Sequence, residues 1–149
     1  MKGFKVSTLI SISAGLLTLT LPVFTQSAAI AFGQASPSTD SSYINHLYSF
    51  LESTDNLTYV MATESMTERD SIQAAQMFCN TFESGVDPAD AFSAYTSTAI
   101  RQATAMGAEM TEEMAYAVGL YGGAVMNLGT AYYCPEYQSQ VEQALQSFL

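Results

Sequence analysis

The sequence predicts an all-α protein, a small bundle of four to five helices held by one disulfide. Apolar residues recur at steps of three and four along most of the chain, which is the spacing of one helix face. Ser, Thr, Asp and Pro stand where these stretches begin, and glycines stand where they end. No stretch alternates apolar and polar residues as a half-buried strand does.

Residues 1–35 have the pattern of a secretory signal peptide. Two lysines, the only ones in the chain, precede an uncharged stretch from Val6 to Phe32, and small residues occur at Ala29–Ala31 and Gly33–Ala35. The stretch is also long enough for an uncleaved membrane anchor, but hydroxyl residues dilute it and Pro22 interrupts it. We therefore predict cleavage and a secreted or periplasmic location.

Charge and composition exclude several classes of function. The chain has 4 Lys+Arg and 14 Asp+Glu and a formal charge of −10. Without residues 1–35, two arginines and all the acidic residues remain, which gives −12. So acidic a chain offers no positive surface for nucleic acid or for an anionic membrane. With 48% hydrophobic and 12% charged residues, it is also too apolar to be disordered.

The first helix follows a polar segment. Residues 36–42 are predicted to form a flexible lead-in to a single helical domain over residues 43–149. The first helix is predicted over Ser42–Ser53, because apolar residues recur there at helical steps: Ile44, Leu47 and Leu51.

The second and third helices have distinct start and stop residues. Ser65–Glu68 and Thr67–Asp70 are overlapping capping boxes that start the second helix, and Gly85 ends it. Asp87–Pro88 supplies an N-cap followed by proline at the first helical position, and Gly107 ends the third helix.

The fourth helix, capped by Thr111, is long and rich in glycine, and a last helix opens at Pro135. The glycines within it are Gly119, Gly122, Gly123 and Gly129. Each costs about 1 kcal/mol relative to alanine. Such residues make sense where another backbone packs closely, either inside the domain or across a homodimer. Gly119 and Gly123 are therefore candidate interface residues.

The two cysteines, Cys79 and Cys134, form one disulfide if the protein is exported. A reduced pair and an intermolecular link are the alternatives. An intramolecular bridge would support a domain that is too small to bury a large core.

The arrangement of the cysteines resembles a known family. Cys79 lies within a predicted helix, the helix-opening turn Gly85–Asp90 follows, and Tyr133–Tyr137 carries a Tyr-Cys-Pro segment. This order is similar to the small secreted proteins of domain of unknown function 732, over residues 42–140. The resemblance implies export, an all-α fold and a Cys79–Cys134 bridge, and it implies no activity.

Three methionines suggest one alternative function. Met106, Met110 and Met114 stand at four-residue intervals, and thioethers are ligands that suit Cu(I) outside the cytoplasm. Gly107 and Thr111 indicate a loop that interrupts this face, and methionine commonly fills irregular cores. Packing in the core or an interface is the alternative to a copper site.

Nine tyrosines and no tryptophan are a further signal. Four of the tyrosines cluster near the predicted bridge: Tyr121, Tyr132, Tyr133 and Tyr137. A tyrosine joins a large apolar area to one polar group, which suits either the edge of a core or a contact surface. We take both roles as open for these residues.

Candidate catalytic groups are few. His46 is the only histidine, with no nucleophile motif to serve, and it is expected to lie partly exposed on a helix. The paired carboxylates Asp87/Asp90 and Glu112/Glu113 are accounted for by helix starts, and no calcium-loop motif is present. We therefore predict an accessory or interaction domain without a cofactor, which binds a protein or a small apolar ligand. A Cu(I)-binding protein is the second hypothesis, and a hydrolytic enzyme is the third.

Overall fold

A computed structural model of the chain describes residues 37–148, and the predicted all-α class is confirmed. Six α-helices follow one another: α1 Pro37–Thr54, α2 Asn56–Val60, α3 Glu68–Glu83, α4 Pro88–Ala105, α5 Glu112–Tyr133 and α6 Gln138–Gln146. A π-helical turn, Met61–Ser65, follows α2, and a 3-10 turn, Pro135–Tyr137, precedes α6. The five longer helices correspond to those that the sequence predicts, and the short α2 is additional. The last helix was predicted to open at Pro135, where the structure has the 3-10 turn, and it becomes α-helical at Gln138. The predicted signal peptide lies outside the described residues.

The starts of α4 and α5 are the predicted ones, and of the two capping boxes predicted for α3 the helix uses Thr67–Asp70 and not Ser65–Glu68, because Ser65 ends the π-helical turn. Thr67 Oγ1 accepts a hydrogen bond from the Asp70 N–H, and the Asp70 carboxylate accepts one from the Thr67 N–H, which completes the capping box. Asp87 and Thr111 accept hydrogen bonds from backbone N–H groups in the first turns of α4 and α5. Each cap satisfies donors that a helix start otherwise leaves without a partner.

The ends of α3 and α4 also match the prediction. Gly85 has a φ of 84° and Gly107 a φ of 88°. This left-handed conformation is one that glycine adopts without steric cost and that other residues avoid. The two glycines therefore end their helices and turn the chain toward the next one.

The start of α1 differs from the prediction. The predicted flexible lead-in, residues 36–42, is helical from Pro37 onward. Proline is suited to a first helical position, and the Ser42 hydroxyl donates to the Ser38 carbonyl at 2.8 Å. The Tyr133 hydroxyl also donates to Asp40 Oδ1 at 2.8 Å, which ties this turn to the end of α5. Contact with a distant helix thus extends α1.

Helix α5 lies at the centre of the fold and packs against α1, α3, α4 and α6. Its apolar residues Val125 and Met126 are fully buried, together with Leu47 of α1 and Phe78 of α3. The closest approach is at Gly129, where an added Cβ would lie 2.6 Å from the Cβ of Ala75. Helix packing inside the domain therefore explains this glycine. Within residues 37–148, no helix is both long enough and apolar enough to cross a bilayer.

The two cysteines form an intramolecular disulfide. Cys79 lies in α3, Cys134 follows the last residue of α5, and their Cα atoms are 5.8 Å apart. The bridge joins residues separated by 55 positions, for which chain-entropy bookkeeping gives a stabilisation of about 4 kcal/mol. It holds the end of the central helix against α3.

Candidate functional site

An apolar groove with a volume of about 460 Å³ lies on one face of α5, and we call it the α5 groove. Its floor consists of α5 residues at helical steps: Tyr116, Gly119, Leu120, Gly123, Ala124, Asn127 and Leu128. Its walls come from three other parts of the chain: Phe50 of α1, Phe92 of α4, and Leu145 and Phe148 at the end of the chain. All of these side chains except Asn127 and the hydroxyl of Tyr116 are apolar.

The depth of the α5 groove comes from two glycines. A Cβ added at Gly119 would meet no atom within 4 Å, and one at Gly123 would make only ordinary contacts with Leu145 and Phe92. A side chain at either position would project into the groove. Gly119 therefore destabilises the helix by about 1 kcal/mol relative to alanine, with no packing contact in return. A local cost without a structural gain is expected at a functional site.

The other two glycines of α5 have a different role. At Gly122 an added Cβ would lie 3.1 Å from the ring of Tyr95, and at Gly129 it would collide with Ala75. These two positions pack against neighbouring helices of the same chain. The predicted interface residues Gly119 and Gly123 are the two glycines of α5 that line the groove.

Large aromatic side chains stand at the rim of the groove. Phe50, Tyr116 and Phe148 are 39%, 62% and 50% exposed. The ring of Phe148 packs on the ring of Phe92, with centroids 5.0 Å apart. Single exposed apolar residues are common, but several around one concave surface mark an interaction site. The sequence gives Phe92 and Phe148 no signal beyond the helical spacing of apolar residues, so it does not mark them as parts of a site.

One amide provides a polar group in the groove. The Oδ1 atom of Asn127 accepts a hydrogen bond from Gln138 Nε2 at 2.8 Å. This bond orients the amide, so its NH₂ group is the part left for a ligand. Gln138 Nε2 also donates to Glu142 at 3.0 Å. Gln138 Oε1 is buried and, in the described part of the chain, has no hydrogen-bond partner.

A second, more open cavity of about 560 Å³ adjoins the groove, because Tyr116 lines both. Three carboxylates line it, those of Asp55, Glu112 and Glu113, and we call this region the acidic mouth. Asp55 accepts hydrogen bonds from the hydroxyl and the N–H of Thr58, at 2.7 and 2.8 Å, and these lower the pKa of Asp55. Among the described residues that line the two cavities, none is basic.

The predicted tyrosine cluster does not line the groove. Tyr121 is only 2% exposed, and its hydroxyl shares a 2.8 Å hydrogen bond with that of Ser71, so it belongs to the core and not to a contact surface. Burial raises its pKa. Tyr133 is half-buried against Asp40, and burial and this hydrogen bond raise its pKa as well. Both phenols hold helices together.

The other two tyrosines of the cluster contact neighbouring aromatic rings. Tyr132 Oη and Nδ1 of His46 are hydrogen-bonded at 3.3 Å, and the ring of Tyr137 packs on Phe82 with centroids 5.7 Å apart. His46 is exposed on α1, as the sequence predicts. These contacts place both tyrosines at helix junctions and away from the α5 groove.

The three methionines do not share a helix: two lie in the segment between α4 and α5, and the third lies in α5. Met106 follows the end of α4, Met110 lies between α4 and α5, and Met114 lies in the first turn of α5. The loop that Gly107 and Thr111 predict is therefore present, and no single helical face holds the three sulfurs. Met106 is 82% exposed, so it does not pack in the core. In residues 37–148, no group of three or more His, Cys, Asp or Glu side chains could hold a metal ion.

Comparison with known proteins identifies no relative of this chain. No family model, no curated protein and no solved structure matches it. The resemblance to domain of unknown function 732 therefore stays a prediction.

Proposed function

We propose that this protein is an exported, non-catalytic binding domain that holds a small apolar ligand in the α5 groove. The observation that carries the proposal is the unfilled space above Gly119, where a side chain would meet no atom within 4 Å. A volume of about 460 Å³ lies within the range of about 300–1,000 Å³ that is typical of small-molecule sites. Such sites are mostly apolar and contain a few polar groups that orient the ligand. In the α5 groove the side-chain amide of Asn127 is such a group.

The chemistry of the lining favours binding over catalysis. Hydrolysis by a protein side chain needs a nucleophile, a base and an orienting group within hydrogen-bond reach of one another. The groove offers aliphatic and aromatic surface, one amide and one phenol. These groups supply contact area and orientation for a ligand.

The strength of binding should depend on how much of the groove the ligand fills. Each buried methylene contributes about 0.8 kcal/mol, which is a factor of about four in affinity. Association itself costs at least about 4 kcal/mol. Short fragments should therefore bind weakly, and affinity should rise about fourfold per methylene until the groove is full.

Two observations support export. Residues 1–35 have the charge and hydropathy pattern of a signal peptide. The Cys79–Cys134 disulfide is of a kind that persists in oxidising compartments. Mass spectrometry of the native protein tests this part: we expect an N-terminus near residue 36 and an oxidised pair. A full-length chain with two free thiols would contradict it.

Ligand binding is tested with a neutral apolar fluorophore, N-phenyl-1-naphthylamine. We expect a saturable rise in its fluorescence with one site per chain. Gly119→Leu should abolish the signal because leucine fills the floor of the groove. Ala131→Leu is the matched control, since it adds leucine to an exposed position of α5 outside the groove. Equal binding by a folded Gly119→Leu variant would refute the proposed site.

A further inference from the structure

We infer that the ligand of the α5 groove is a cationic amphiphile, an apolar chain that carries an amine or quaternary ammonium group at one end. The inference rests on the proposed function, because it specifies the ligand of the same groove. It is carried by the position of the acidic mouth directly beside the groove, with Tyr116 lining both. An apolar body in the groove thus brings its head group to the mouth.

The charge of the mouth is negative, and no basic side chain lines it. Asp55, Glu112 and Glu113 line it, and neither of the two arginines lines either cavity. The Thr58 hydroxyl and N–H stabilise the carboxylate of Asp55 and lower its pKa further below neutral pH. The N-terminus of α5 carries about half a positive charge, which three carboxylates exceed. The net charge of the whole chain, −10, has the same sign.

Tyr116 provides a second contact for a cation at the point where the two cavities meet. Its side chain is 62% exposed, so the ring is accessible to a ligand. An ammonium group over a tyrosine face is attracted by the ring quadrupole, and quaternary ammonium groups are recognised in this way. The ring also continues the apolar surface of the groove, so it contacts both the chain and the head group.

The length of the groove fits a linear chain. Its floor extends along α5 from Tyr116 to Leu128, which is about 18 Å at 1.5 Å per residue. A dodecyl chain fits this length with its head group at the Tyr116 end. A chain of the same length with an anionic head group would place a negative charge beside the three carboxylates of the mouth, and this selects against fatty acids.

The inference predicts an order of affinity for ligands with one chain and different head groups. A cation should bind about tenfold more tightly than a neutral ligand, the size expected for several exposed charge and ring contacts together. An anion should bind more weakly than the neutral ligand. The preference for the cation should shrink at high salt, because the mouth is exposed to solvent.

The experiment measures displacement of N-phenyl-1-naphthylamine by three dodecyl probes below their micelle concentrations. The probes are dodecyltrimethylammonium, dodecyl maltoside and dodecyl sulfate, and circular dichroism confirms that the protein stays folded. The variant Glu112→Gln/Glu113→Gln keeps Asp55 and Tyr116, so it should lower the apparent affinity for the cation severalfold and remove most of the preference of about tenfold. The control Glu83→Gln/Glu136→Gln makes the same change in net charge at exposed positions away from the mouth, and should keep the cation preference.

The outcomes separate the inference from the proposed function. Equal displacement by all three probes would overturn the cationic ligand and leave the groove as an apolar site. An identical loss of cation binding in both double variants would also overturn it, because net charge alone would then explain the effect. If neither the fluorophore nor any probe binds, the proposed function itself fails. A dimer that excludes the fluorophore and dissociates in Gly119→Leu would identify a second copy as the occupant and overturn the inference.

Discussion

Replacing Gly129 with alanine places one methyl group between α3 and α5. The new Cβ would lie 2.6 Å from the Cβ and 3.0 Å from the Cα of Ala75. Two nonbonded carbons settle at about 3.5–4.0 Å, so the helices must separate by about 1 Å. Because the neighbour is an alanine, whose Cβ is fixed by the backbone, no side-chain rotation relieves the clash.

The expected loss of stability follows from two opposing effects. Overpacking a core by one methyl costs about 1–3 kcal/mol, and alanine returns about 1 kcal/mol of helix propensity. The difference between these two effects is a decrease of up to about 2 kcal/mol in the free energy of unfolding of Gly129→Ala, which corresponds to several degrees in Tm. Gly119→Ala is the matched control on the same helix. Its Cβ meets no atom within 4 Å, so it should stabilise by up to about 1 kcal/mol.

The assay is urea unfolding followed by circular dichroism, in which the midpoint reports stability and the slope reports the surface exposed. We expect the urea midpoint to fall for Gly129→Ala and to rise for Gly119→Ala, with similar slopes. If Gly129→Ala were as stable as Gly119→Ala, α3 and α5 could not approach as closely as described.

Three further predictions concern the disulfide and the titratable groups. Reducing the disulfide should lower the free energy of unfolding by about 4 kcal/mol, and an unchanged urea midpoint with a thiol reductant present would contradict this. Burial raises the pKa values of Tyr43 and Tyr121, so the fold favours their neutral forms; this stability is present below about pH 10 and is lost as the pH rises further. The part of the phenolate absorbance that belongs to Tyr43 and Tyr121 should therefore appear together with unfolding, and ionisation of all nine tyrosines in a folded chain at pH 10 would be the opposite result. The Thr67 hydroxyl and N–H lower the pKa of Asp70, so the capping box contributes to stability above about pH 4 and this contribution is lost as the pH falls. Thr67→Ala should therefore weaken the dependence of the urea midpoint on acid pH. The same dependence in the variant and in the unaltered protein would count against the capping box.

Features that depend on neighbouring residues in the chain could be predicted from the sequence. The caps at Thr67, Asp87 and Thr111 were identified because a cap is a contact within one helical turn. The stops at Gly85 and Gly107 were identified because only glycine adopts their backbone conformation readily. Both rules act over a few residues and need no knowledge of the tertiary fold.

Features that depend on distant contacts could not be predicted. The sequence predicts a flexible segment where the structure has the first turn of α1. The hydrogen bond from Tyr133 to Asp40 that holds this turn joins residues 93 positions apart, so no local pattern reveals it. The same contact explains why Tyr133 serves α1 and not a binding surface. The short helix α2 was also missed, since five residues are too few to show a helical period.

The candidate site lies between these two cases. Gly119 and Gly123 were singled out because glycine is costly within a helix, and this signal is visible in the sequence. The walls of the groove could not be predicted from the sequence, because Phe50 and Phe148 come from opposite ends of the described chain and meet only in the folded bundle. The sequence shows which positions of a helix carry no side chain, and the tertiary fold determines which residues surround the resulting space.

The most direct test of ligand binding in the α5 groove is methyl NMR of the folded protein during titration with dodecyltrimethylammonium. Binding in the groove predicts saturable shifts, and contacts with the dodecyl chain, for the methyl groups of Ala124, Leu128 and Leu145. The methyl groups of Ala75 and Val141, which are buried in the core, should stay unchanged. Saturable shifts confined to residues outside the groove would show that the ligand binds elsewhere and that this account of the protein is wrong.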